Sequence, residues 1–366
     1  MNLGDFASAL SDICSRCLVV PERSLDWTII ANPTAGGFTI RSRWKQHERI
    51  LRDYAARAAS NPRRIGAGPS ETALEQGGAL GRLGLIPTAG PGHAGRIVEA
   101  LTGEAKAVRS GRFHLIITAG GDGTSLEALI ALYNAGEAVC SNFAVLRLPM
   151  GTGNDGADAW ELDKALDLLI YPANIGYARA LRLTTSVQGK GPFLAFNILS
   201  VGIDAFITHM TNRTKGKLPG DSYKLWVDIA SLLYDLVYKV GPIEVRALDG
   251  KGRETASFKE PLLLLAVGVS GRRTYGSHKW ILPDDRNVCA VKQMPLFRKI
   301  ALKGLFLTGK HIHKPESKLF NASRVEFRGE HPILAQMDGE AVLLHPVDFP
   351  ASIELTEPVI PILARI

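Results

Sequence analysis

"ITAGGDGTSLEAL", residues 117–129, ends an apolar run (FHLIIT, 113–118) and opens a segment of helical periodicity. Three glycines, Gly120, Gly121 and Gly123, surround a single carboxylate, Asp122, in the turn between them. An apolar strand running through a glycine-rich turn into a helix is the building unit of a parallel α/β sheet. Ligands of such sheets sit outside the carboxyl ends of the strands. Exposed N–H groups at the start of the next helix favour an anion there. Thr124 reads as the helix cap, with Glu127 three residues on completing a capping box. Asp122 then precedes the cap and is not needed to start the helix, so another task is expected of it.

Outward from this turn the same unit repeats. DWTIIANP (26–33), LGLIPTAG (83–90) and FAVLRLP (143–149) read as strands. RSRWKQHERILRDYAARAAS (41–60), HAGRIVEALTGEAKAVRS (93–110) and TSLEALIALYN (124–134) read as helices. Alternation of this kind from about residue 27 to 170 predicts a mostly parallel sheet covered on both faces by helices. Beyond residue 175 short strand-like runs separated by Gly, Pro, Asn and Asp replace it, among them PFLAFNILSVG (192–202), PLLLLAVGVS (261–270) and PILAQMD (332–338). Helical stretches interrupt them near 203–213, 222–239 and 295–308. The expected second domain is a mainly antiparallel β-sandwich. The boundaries expected are an amphipathic helical extension over 1–26, an α/β domain over 27–172, a β-rich domain over 173–345, and a C-terminal segment, 346–366, returning to the first domain.

Composition narrows the classes. The 366 residues are 46% hydrophobic and 22% charged, which suits a globular chain and not a disordered one. The most apolar helical stretch, KLWVDIASLLYDLVYKV (224–240), is interrupted by Asp228 and Asp235 and should not span a bilayer. The N-terminus lacks a basic region before its apolar residues and carries Asp5 and Asp12, so no secretory signal is expected and a cytoplasmic location is. A formal net charge of +7 favours anionic partners. The cysteine pair Cys14 and Cys17 has metal-site spacing, yet falls on one helical face with Leu3, Phe6, Leu10 and Ile13, and reads as core. His311 and His313 lack neighbouring carboxylates or thiols and read as non-ligands.

Three glycine-rich turns end predicted strands: ANPTAGG (31–37), GGDGT (120–124) and PMGTGND (149–155). Each alone is explained by a tight turn. Three on one sheet edge, with Asp122 and Asp155 among them, suggest a phosphate site in which a cation relieves the repulsion between carboxylate and phosphate. No G-x-x-x-x-G-K-[ST], H-R-D or D-F-G set occurs. GPGHAG (90–95) matches G-x-G-x-x-G, but Pro91 stiffens it and no acidic residue closes a second strand, so a plain helix start or a nucleotide contact through Thr88 is expected instead.

GGDGT together with GTGND resembles the diacylglycerol kinase catalytic-domain family, which includes sphingosine, ceramide and bacterial lipid kinases. The resemblance runs from about residue 27 to 360 through NPTAGG, PTAGPGHA, GGDGTSLEAL, LPMGTGND, NILSVGIDA, GKHIHKPES and QMDGE. It implies ATP and Mg²⁺ as cofactors, with nucleotide contacts at Asn32, Thr88, Gly120, Gly121, Asp122, Gly123, Thr124, Gly151, Thr152, Gly153 and Asn154. It places Asp122 in the Mg²⁺-linked phosphate network and makes Glu340 of QMDGE the proton acceptor for a lipid hydroxyl; Asp338-Gly339 alone would read as a hairpin turn. A longer segment that holds a structural magnesium in the family is shortened here to ILPDDRNVCAV (281–291), with Arg286 in place of a glycine. Asp285, then Asp284, are the ligands implied, with backbone oxygens of Leu282 and Asn287.

The implied partners are ATP, a diacylglycerol-like or sphingoid lipid, and an anionic membrane surface at the inner face, not nucleic acid; a homodimer stays open. The basic runs NRTKGK (212–217) and GKHIHK (309–314) could face lipid headgroups. Two other readings compete: a NAD kinase-type nucleotide kinase sharing a GGDGT loop, and a catalytically silent nucleotide- or membrane-binding regulator.

Overall fold

Continuous apolar strands need cover on both faces, and the first half of the chain supplies it with helices. A computed structural model describes residues 2–17, 19–20, 25–60, 68–107, 113–151, 153–171, 173–214, 234–235, 238, 240–276 and 278–365. The chain divides into two compact units, Met1–Ala178 with Pro358–Ile366, and Arg179–Glu357. Most of the helical stretch expected at 222–239 lies outside the described residues.

In the first unit, strands β1 (Leu25–Ala31), β2 (Leu85–Pro87), β3 (Phe113–Gly120) and β4 (Phe143–Pro149) form the parallel middle of an eight-stranded sheet. β1 pairs with β2 and β3, and β3 with β4, all parallel. Every residue of β1 and β3 is buried. The C-terminal strand Ile360–Arg365 lies parallel to β4 and antiparallel to Ala173–Ala178, which makes the sheet mixed but mostly parallel. The longer helices are α1 (Leu3–Cys14), α2 (Arg41–Ser60), α3 (His93–Ala107), α4 (Asp122–Ala135) and α5 (Leu162–Ile170). A reciprocal capping box starts α1: Asp5 N donates to Asn2 Oδ1 at 2.9 Å, and Asn2 N donates to Asp5 Oδ2 at 3.0 Å. Its face of Phe6, Leu10, Ile13 and Cys14 is buried in the same core as Leu51 and Tyr54 of α2. Cys14 and Cys17 are free, buried thiols, and burial pushes Cys17 up to about 12.

The second unit is an eleven-stranded antiparallel sheet curled into two facing leaves. One strand, β6 (Glu254–Gly268), belongs to both leaves; β5 (Ile198–Gly202) pairs with its second half. Leu181, Val245, Phe327 and Ile353 of one leaf share a core with Val201, Leu265, Val288 and Ala335 of the other. The second leaf's opposite face packs on helices α6 (Ile203–Thr214) and α7 (Leu296–Thr308), which is why the second half of β6 is buried on both sides. The hairpin β7 (Ile333–Met337) and β8 (Glu340–Leu344) closes that leaf beside β5.

Candidate active site

The turn after β3 is tighter than its sequence suggests. Helix α4 begins at Asp122 itself, with Gly121 as its extended N-cap (φ −90°, ψ −176°). The Gly121 carbonyl accepts from Thr124 N at 3.1 Å and Ser125 N at 3.3 Å. Thr124 is therefore inside the first helical turn and not the cap: its side chain crowds Gly120, where a Cβ would lie 2.5 Å from Thr124 Oγ1. The expected capping box also fails to form. Glu127 reaches instead to α3, accepting from Gly92 N at 2.7 Å and Ala94 N at 3.2 Å. A protein carboxylate thus caps the GPGHAG turn and takes two of the N–H groups a dinucleotide phosphate would use. The helix-start reading of that turn agrees with this geometry.

The other two glycine turns meet this one. Asn32 N donates to Ala119 O at 2.9 Å, and its side-chain oxygen accepts from Thr34 N at 3.0 Å, an Asx turn that leaves Asn32 Nδ2 3.5 Å from Thr124 Oγ1. Gly37 N donates to Met150 O at 2.7 Å, tying the first turn to the third. A Cβ on Gly151 would lie 2.6 Å from Gly121 Cα, so the second and third turns touch backbone to backbone and only glycine fits. Asn154, at φ 59°, folds the third turn by accepting from Gly151 N at 2.6 Å and donating to Pro149 O at 3.2 Å. Arg43 donates to Gly151 O at 3.1 Å. Thr88 is held alongside by its N–H to Ala31 O at 2.7 Å. Asn32, Thr88, Gly120–Thr124, Gly151, Gly153 and Asn154 therefore share one edge of the sheet; Thr152 lies outside the described residues.

Asp122 stands where the second and third turns meet. Its Oδ1 accepts from Gly156 N at 3.0 Å, and a Cβ on Gly153 would lie 3.1 Å from its Oδ2. Burial pushes its carboxyl above the ordinary value, and the Asp155 charge adds to the rise; the Gly156 N–H and Arg147 oppose it. Arg147 is itself clamped on Asp158, with Nη2 to Oδ1 at 2.6 Å and backbone N to Oδ2 at 2.7 Å. A buried carboxylate that a second carboxylate's charge pushes up suits a cation beside it. Among the described residues no group of three or more His, Cys, Asp or Glu forms a cage. That donor set fits a magnesium whose remaining ligands come from phosphate.

In the second unit, Glu340 opens β8, exposed, directly after the two-residue turn of Asp338 (φ 46°) and Gly339 (φ 103°). Two successive positive φ values make this a type I′ hairpin, as Asp-Gly suggests. Asp338, however, is more than a turn residue. It is buried, and its carboxylate accepts backbone N–H groups of Phe196 (2.5 Å), Asn197 (3.1 Å) and Ile198 (2.9 Å). Gln336 Oε1 accepts from Gly339 N at 3.1 Å, while its Nε2 donates to Ser200 Oγ at 2.8 Å. Asn212 of α6 donates to Gly339 O at 2.8 Å. Sequence reading had only the Asp-Gly pair as a signal and missed this anchoring.

Asp284 and Asp285 have arginine partners. Arg286 Nε lies 3.0 Å from Asp284 Oδ2, Arg272 Nε lies 2.7 Å from Asp285 Oδ1, and these guanidinium groups hold both carboxyls below the usual range. The Asn287 carbonyl accepts from Gly268 N at 2.8 Å. That donor set is engaged within the protein. His311 is buried and stacks on Phe306 with ring centroids 4.1 Å apart.

The three turns, β1 to β4 and their helices coincide with a known domain. Residues 26–179 match the diacylglycerol kinase catalytic domain. Solved structures are similar over nearly the whole chain. One, a "putative diacylglycerol kinase from Bacillus anthracis str. Sterne", is 16% identical with a TM-score of 0.56, covering 93% of this chain and 97% of its own. A second of the same description is 18% identical with a TM-score of 0.56, covering 93% and 96%. At these identities the likeness establishes the fold alone, over residues of both units. No curated protein matches the chain in sequence. The matched residues include all three glycine turns and Asp122, whereas Glu340 lies beyond them.

Proposed function

We propose that the protein is an ATP-dependent lipid kinase that transfers the γ-phosphate of ATP to a lipid hydroxyl of diacylglycerol-like or sphingoid type. One observation carries this reading: three glycine turns converge around Asp122 within residues that match the diacylglycerol kinase catalytic domain. The turns bring backbone close enough to hold phosphates, and the start of α4 offers N–H groups to them. Asp122, with Asp155, would hold Mg²⁺ together with the nucleotide phosphates. When bound, the cation neutralises charge on the phosphate oxygens.

Asn32, Thr88 and Asn154 orient the nucleotide, and Arg147, fixed by Asp158, contributes positive potential beside Asp122. Glu340 accepts the proton of the attacking lipid hydroxyl, as a carboxylate within hydrogen-bond reach can. The type I′ turn, held through Asp338 and Gln336, fixes where the Glu340 backbone stands. Catalysis is then mostly positioning and electrostatic stabilisation, as in phosphoryl transfer generally.

The test is incubation with labelled ATP, Mg²⁺ and a panel of diacylglycerol, sphingoid and monoacyl lipids, with NAD as a separate acceptor. Labelled lipid is expected. Labelled NAD phosphate, or nucleotide binding with no turnover on any lipid, would replace this reading with one of its competitors.

A further inference from the structure

Helix α7 is apolar on two opposite faces, and only one of them is covered. Leu302 is buried and Leu305 and Phe306 pack against the core of the second unit. On the other side Leu296, Phe297, Ile300 and Leu307 are 44%, 75%, 59% and 56% exposed. At 100° per residue, Leu296, Leu307, Ile300, Gly304 and Phe297 fall within one arc of about 100°. Four of the ten large hydrophobic side chains exposed among the described residues therefore stand together on this 13-residue helix. Scattered exposed apolar residues need no account, whereas a continuous stripe marks a contact surface.

The charges around the stripe indicate what it meets. No Asp or Glu occurs between Asp285 and Glu316, while the same stretch carries seven Lys and Arg. Arg298 Nε lies 2.6 Å from Glu316 Oε1, and buried Lys299 pairs with Asp235. Lys303, on the edge of the apolar arc, and Lys310, just past the helix, are exposed. An apolar helical face edged by lysines and lacking acids is the chemistry of a helix that lies in the interfacial layer of an anionic bilayer. Among the described residues no helix is long and apolar enough to cross a membrane, so contact through α7 is along the surface.

We propose that α7 is the membrane-docking element of this protein, seating Phe297, Ile300 and Leu307 among lipid chains with Lys303 and Lys310 at anionic headgroups. The use of such docking, reaching an acceptor held in a bilayer, rests on the lipid-kinase reading; the docking itself does not.

Sedimentation of the full chain with vesicles, without nucleotide, tests it. Phosphatidylcholine vesicles containing 30% phosphatidylglycerol (about 30 mol%, enough surface charge to attract lysines) are compared with phosphatidylcholine alone. Wild type should pellet with the anionic vesicles. Phe297→Ser/Ile300→Ser should bind at least about tenfold more weakly, and Lys303→Glu/Lys310→Glu should lose the preference for anionic vesicles. All four positions are exposed, so urea midpoints should stay close to wild type and show that both variants are folded. Unchanged pelleting of Phe297→Ser/Ile300→Ser overturns the proposal. So does a wild-type dimer in size-exclusion chromatography that this variant dissociates, since the stripe would then bind a second copy. Vesicle binding lost in the variant, with no phosphate transfer by wild type, would keep the docking and remove the lipid-kinase reading. Transfer to a bilayer-held lipid at equal rates in both would do the reverse.

Discussion

At the scale of single residues, Asp122 carries a conflict between stability and function. Its carboxyl is raised by burial and by Asp155, so the folded chain penalises its ionised form. A folded-state value above the unfolded one means the group's stabilising contribution is complete below the ordinary aspartate range and is lost as pH rises through the raised value. Asp122→Asn should therefore be at least as stable as wild type at pH 7, and the difference should shrink toward pH 4; urea midpoints at the two pH values check this. The same variant should lose about 10²–10³-fold in phosphate transfer. Gly151 is a different kind of dependence, purely steric. A Cβ there would meet Gly121 Cα at 2.6 Å and Asn154 Oδ1 at 2.9 Å, both in turns that must stay in register. Gly151→Ala should cost about 1–3 kcal/mol of stability and weaken nucleotide binding in an equilibrium titration. Gly121→Ala adds its methyl 3.6 Å from Gly151 Cα, an ordinary contact, and should be milder.

At the scale of elements, the alternation of strand and helix was legible because it is a local pattern: β1, β3 and β4 are apolar runs ending in glycine turns. The meeting of those turns was legible only as a consequence of parallel topology. What could not be read was which carboxylate serves which helix. Glu127 is three residues from Thr124 in sequence, yet its partners Gly92 and Ala94 lie more than thirty residues away. Thr124 failed as a cap because the helix is already capped at Gly121, three residues earlier than a Thr-x-x-Glu pattern implies. Asp338 shows the same limit. Its sequence neighbour Gly339 announces a hairpin, but nothing local announces Phe196, Asn197 and Ile198 as its partners. Asp338→Ala would leave three buried N–H groups unpaired and should cost about 3 kcal/mol or more, measured by urea unfolding. Asp338→Asn, which tolerates the positive φ and keeps an acceptor oxygen, should lose less. If the two variants are equally unstable, the carboxylate's hydrogen bonds are not what holds the hairpin.

At the scale of the whole molecule, the C-terminal strand belongs to the unit that begins the chain. Ile360–Arg365 fills the gap between β4 and Ala173–Ala178, with Ile360 and Leu363 buried. Removing residues 358–366 withdraws two buried aliphatic side chains, about 1.5–3 kcal/mol each, and leaves β4 without one of its neighbours. The truncated chain should show an unfolding free energy in urea lowered by several kcal/mol and lose nucleotide binding, while retaining the second unit's antiparallel signature in circular dichroism.

That threading also sets a timetable. In synthesis β1 through β4 emerge before the antiparallel unit, but their sheet stays incomplete until Ile360–Arg365 has left the ribosome. The antiparallel unit, contiguous in sequence, is complete earlier and is free to fold first, as whole domains do during translation. The half made first is then the half finished last. While residues 150–359 are being made the first sheet carries an open edge at β4, and the cell must keep that edge from pairing with the wrong strand.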